Sequence, residues 1–71
     1  MEEKFSLIGV DGNAFSVMGY VRRALKHSGL SDRVDEYTEK ATSGDYNNLL
    51  IVSMEYVDLA NEKWMEKHQD E

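Results

Sequence analysis

A chain of 71 residues without a single cysteine has lost the staple that small domains most often use, so an apolar core or a partner subunit must hold it together. The same absence removes disulfides, thiolate zinc sites, iron–sulfur clusters and cysteine nucleophiles from the functions open to it. Hydrophobic residues make up 41% of the chain, enough for one core and too many for a disordered acidic tail. The length supports one domain, expected over residues 4–67, with tails at 1–3 and 68–71.

The formal net charge of −6 disfavours general nucleic-acid binding, because such binders draw their affinity from Lys and Arg on phosphates. No apolar run approaches a bilayer span, and Met1-Glu2-Glu3-Lys4 has neither the basic lead nor the apolar stretch of a signal peptide. The expectation is a cytoplasmic protein with no membrane partner.

There is no proline, repeat or low-complexity segment, so Gly, Asp, Asn and Ser punctuate the chain. Lys4 to Val10 is short, apolar and bounded by Asp11-Gly12, the pattern of a strand. Asn13 then N-caps a helix over Ala14 to Ser28, whose Val17, Met18, Val21, Ala24 and Leu25 recur at helical spacing and which Gly29 terminates. Ser31 is placed to cap a second, short helix with acids in its first turn and Val34, Tyr37 and Ala41 along a narrow apolar edge. Asp45 caps a third helix in which Tyr46, Leu49, Leu50, Ser53, Val57, Ala60 and Trp64 share one side, widened by Val52, Tyr56 and Leu59. After Val57 the chain either continues as helix to Lys67 or returns beside the first strand; good helix formers at Ala60, Glu62, Lys63, Met65 and Glu66 favour the helix. The predicted fold is therefore mainly α, a small α+β domain with one short N-terminal β-strand followed by three helices.

Motif by motif, the chemistry is sparse. Asp11-Gly12-Asn13 is similar to the opening of a calcium loop, but Phe15, Ser16 and Arg22 stand where a ligand, a glycine and a glutamate are required. Gly9 and Gly12 match neither the dinucleotide fingerprint nor the P-loop, and Asp11 repels an anion. His27 and His68 are the only imidazoles, and His27 follows Lys26 and two arginines, a poor site for a cation. Catalysis needs a nucleophile with a base, or paired carboxylates in a pocket, and Asp35, Glu36 and Glu39 offer carboxylates only on a short exposed helix, so a small hydrolytic or metal-dependent enzyme ranks third and no cofactor or metal is expected.

Charge layout is the most informative surface feature. Tyr20 to His27 holds Arg22, Arg23 and Lys26 with no acid, whereas Asp32 to Asp58 carries seven acids, among them Asp35, Glu36 and Glu39, against Arg33 and Lys40. Helix-end chemistry and pairing between the two segments account for this without any partner. The functional reading is a basic patch that meets an acidic partner, or an acidic face that mimics nucleic acid and occupies a basic site. A lone strand with apolar groups on both faces adds a second expectation, a homodimer with Phe5 and Leu7 near its interface. The candidate protein-contact residues are thus Phe5, Leu7, Arg22, Arg23, Lys26, Asp35, Glu36, Glu39 and Trp64.

The runs IGVDGNAF from Ile8, ATSGDY from Ala41 and Leu49-Leu50 beyond it resemble a family of short uncharacterised proteins of bacteria and their phages or prophages. The likeness covers about residues 5 to 58, with the charged segment around Trp64 outside it. It carries no activity to transfer and implies only a phage accessory role.

Overall fold

Side-chain caps and a left-handed glycine set the helix boundaries. The computed structural model describes residues 4–68, in which α1 spans Ala14–His27, α2 spans Val34–Ala41 and α3 spans Tyr46–His68. The Asn13 side chain accepts the Phe15 N–H at 2.8 Å and opens α1. At the other end Gly29, with φ of +89°, lets the Leu30 N–H reach the Leu25 carbonyl at 2.7 Å and the Gly29 N–H reach Lys26 at 3.3 Å. This Schellman arrangement carries Leu30 into the core beside Leu25. Asp45 accepts the Asn48 N–H at 3.0 Å, as its capping role requires, and α3 runs unbroken through the segment after Val57.

Ser31 does not cap as expected. Ser31–Arg33 form a 3-10 turn with no side-chain cap bond, closed by the Arg33 N–H on the Leu30 carbonyl at 2.8 Å, and α2 begins only at Val34. The tail expected at 1–3 lies outside the described residues; of that expected at 68–71 only His68 is described, as the last residue of α3.

The predicted N-terminal strand is also corrected: among the described residues there is none, and Lys4 to Val10 forms bends and a turn. Side chains replace the missing ladder. The Asn61 amide of α3 accepts the Phe5 N–H at 2.7 Å and donates to the Phe5 carbonyl at 2.9 Å, which satisfies both backbone groups of that residue as a strand neighbour would. The Tyr20 hydroxyl accepts the Ser6 N–H at 2.9 Å, Ser6 Oγ accepts Ile8 N–H at 3.1 Å, and the Val10 N–H turns back to the Leu7 carbonyl at 3.1 Å.

One apolar cluster joins these elements. Val17, Val21, Ala24 and Leu25 of α1 meet Leu49, Val52, Tyr56, Val57 and Ala60 of α3, with Val34, Tyr37 and Ala41 of α2 on one flank and Phe5 within the same cluster. Because α3 packs against α1, α2 and the N-terminal segment, its apolar residues spread beyond a single stripe. Leu50, assigned to the core from its spacing, is only half-buried, and Leu49 is the buried neighbour. Among the polar groups sealed inside, the Tyr37 and Ser53 hydroxyls lie 2.6 Å apart and satisfy each other. Burial raises the Tyr37 pKa above the ordinary phenol value. The Cα envelope measures 40 × 25 × 15 Å, a flat shape that leaves broad faces for its size.

Candidate functional site: an apolar groove between the N-terminal turn and the third helix

Docking the N-terminal segment through Asn61 leaves a groove beside it. Phe5, Leu7 and Ile8 line one side of this ≈ 400 Å³ cleft, and Leu50, Met54, Val57 and Asp58 line the other. Its walls are not sealed by the rest of the chain. Ile8 is 92% exposed, Met54 is 59% exposed, and Ile51, next to Leu50 on α3, is also 59% exposed. A second hollow of ≈ 390 Å³ lies where α1 meets the junction before α3, lined by Phe15, Met18, Ala41, Tyr46 and Leu49 among others. Phe15 stands 81% exposed at its edge, and the Tyr46 hydroxyl donates to the Gly12 carbonyl across the start of both helices.

The residues singled out from the sequence divide into two groups. Phe5 is 6% exposed and belongs to the core, with its ring edge-on to Trp64 at 5.9 Å between centroids. Trp64 is half-buried and is further covered by the Lys4 ammonium, 4.9 Å from its ring centroid, so it serves the chain's own packing. Glu36 likewise works within the molecule. Arg33 donates to both of its carboxylate oxygens at 3.0 Å, Lys40 lies 3.9 Å away, and the Tyr56 hydroxyl of α3 donates to it from the other side. The Arg33 and Tyr56 hydrogen bonds hold the Glu36 carboxyl at about 2, well below the ordinary 4.5.

The remaining candidates face solvent or the groove. Leu7 is half-buried in the groove wall, and Arg22, Arg23 and Lys26 are exposed on α1, as Asp35 and Glu39 are on α2. The α1 cations find no carboxylate within ion-pair distance among the described residues, so the pairing between basic and acidic segments is not made. On the outer side of α3, Glu55, Asp58 and Glu62 are exposed and equally without an ion-pair partner among the described residues.

Ile8, Phe15, Ile51 and Met54 are not among the contact residues the sequence singles out, although all four are exposed. The legible signal was their position: Ile51 and Met54 are apolar yet fall off the stripe that Leu49, Ser53, Val57 and Ala60 define. Asn61, a polar residue directly after buried Ala60, gave the same kind of signal for the N-terminal clamp.

Among the described residues no group of three or more His, Asp or Glu side chains is gathered as a metal ion would need, and no helix is long and apolar enough to cross a membrane. Comparison with known proteins returns no match: no family model fits the chain, and no curated protein or solved structure is significantly similar to it.

Proposed function

We propose that this small acidic protein acts by protein–protein contact rather than catalysis, and that it associates with copies of itself through the apolar face around Leu7, Ile8, Leu50, Ile51 and Met54. The supporting observation is the exposure of Ile8, Ile51 and Met54 side by side with an open groove, an arrangement of apolar surface that marks interaction sites. The original reason for a homodimer, an unpaired strand edge, no longer applies, because Phe5, Ser6, Ile8 and Val10 donate their N–H groups within the chain. The driving force is instead apolar area, with each side chain fully buried contributing about 1.5–3 kcal/mol before the cost of association. No cofactor or nucleic acid enters this reading, and the cytoplasm is its setting. Sedimentation equilibrium at micromolar concentration tests it: the native protein is expected above monomer mass, and Ile51→Lys and Met54→Lys, both at exposed positions, are expected to be folded monomers. A native protein that stays monomeric overturns the proposal.

A second reading is favoured by Glu55, Asp58 and Glu62, which line the outer side of α3 without basic partners among the described residues. In it, a phage-encoded inhibitor presents this face to a basic nucleic-acid site on a host protein. The resemblance of IGVDGNAF and ATSGDY to phage and prophage proteins supports an accessory role of that kind. Competition with nucleic acid for a basic host protein, lost in Asp58→Asn/Glu62→Gln and weakened by salt, is the result this reading predicts.

A further inference from the structure

Two exposed helix faces in this chain carry the same spacing with opposite charge. On α1, Phe15 is followed by Arg22 and Lys26, seven and eleven residues further on. On α3, Ile51 is followed by Asp58 and Glu62, again seven and eleven residues further on. At 3.6 residues per turn these intervals are about two and three turns, so each set forms one stripe. All six side chains are exposed, and none of the four charges has an ion-pair partner among the described residues.

The two stripes cannot meet within one molecule. α1 and α3 bury Val17, Val21 and Leu25 against Leu49, Val57 and Ala60, so their outer sides point away from a shared core in opposite directions. A second copy meets no such obstacle. We propose that copies of the chain associate head to tail, with α1 of one molecule lying along α3 of the next in the same direction. Phe15 then covers Ile51 and Met54 at the edge of the groove, Arg22 meets Asp58, and Lys26 meets Glu62. The charges lie about 10 and 16 Å beyond the apolar contact on both helices, at a rise of 1.5 Å per residue, so one alignment satisfies all three pairs. This proposal rests on the self-association reading and specifies its geometry. Because the two faces differ, each pair leaves one face of either kind free, and the assembly extends until rotation closes it into a ring. Association through two charge pairs at an exposed interface also weakens with salt.

Complementation between two variants tests the geometry. Arg22→Ala/Lys26→Ala removes the two proposed basic partners on α1 and keeps the acidic ones on α3; Asp58→Asn/Glu62→Gln does the reverse. Each variant alone, checked for native helicity by circular dichroism, is expected to self-associate at least about tenfold more weakly than the native chain. An equimolar mixture is expected to form a 1:1 dimer and stop there, because only one complementary pair of faces remains. Self-association of either variant at native strength, or a mixture that stays monomeric, overturns the head-to-tail arrangement while leaving a different self-contact standing. A native protein that never associates overturns both. As a second pair of variants, Arg22→Glu and Asp58→Arg are expected to associate poorly alone and to recover association when mixed.

Discussion

Asn61 decides what the N-terminal segment becomes. An extended apolar heptad such as KFSLIGV would be a strand if a neighbour offered alternating donors and acceptors, and here one amide side chain on α3 offers a single pair of them. That is enough to hold Phe5 against Trp64 and not enough to propagate a ladder. Asn61→Ala leaves the buried Phe5 N–H and carbonyl unsatisfied and is expected to cost about 1–3 kcal/mol by urea denaturation. A loss within about 0.5 kcal/mol, as at ordinary surface sites, would show that the clamp contributes little. Residues of this kind are hard to read from sequence because their role depends on a contact 56 positions away. Ser53 is similar: its place in an apolar stripe was visible, its partner Tyr37 on another helix was not.

Local signals set the elements more reliably than they set the connections between them. Asn13, Gly29 and Asp45 all act where their chemistry indicated, since caps depend on residues within one turn. Ser31 fails because Leu30, drawn into the core, starts a 3-10 turn in which the serine has no free N–H to accept. Gly44 sits in the junction between α2 and α3. Its φ is not positive, and the constraint is steric: a Cβ there would lie 2.9 Å from Asn48 Cβ and 3.0 Å from Asn48 Cγ, the latter removed by alanine, and the Asn48 amide donates to the Lys40 carbonyl at the end of α2. Gly44→Ala is therefore expected to cost about 1–3 kcal/mol, by overpacking rather than backbone strain, with Asn48→Ala partly relieving it in the double variant. Additive losses would contradict that mechanism.

At the same scale, Glu36 couples α2 to α3. Its carboxyl titrates near 2 in the folded chain against an ordinary 4.5, so the stabilisation it brings is complete above about pH 5 and is lost as the pH falls toward 2. Denaturation midpoints measured from pH 6 to pH 2 are expected to fall more steeply in the native protein than in Glu36→Gln. Parallel profiles would mean that other carboxylates dominate. The sequence displays the spacing of Arg33, at the end of the 3-10 turn, to Glu36 and Lys40 on α2, while the Tyr56 hydroxyl that completes the site comes from α3 and is visible only with the fold.

For the molecule as a whole, a flat 40 × 25 × 15 Å body closes its polar interior yet leaves Ile8, Phe15, Ile51 and Met54 exposed to water. Every buried side-chain polar atom among the described residues has a hydrogen-bond partner, so the interior does not itself demand a second chain. What remains uncovered is apolar area and, among the described residues, charge without ion-pair partners on opposite sides, the two features on which the proposed self-association rests. The direct measurement is an amide chemical-shift dilution series from micromolar to millimolar protein. Concentration-dependent shifts are expected at Leu7, Ile8, Ile51, Met54 and Asp58, and along Phe15, Arg22 and Lys26, with the outer face of α2 at Asp35 and Glu39 unchanged. Spectra that do not move with concentration, or that move only on α2, would contradict the account.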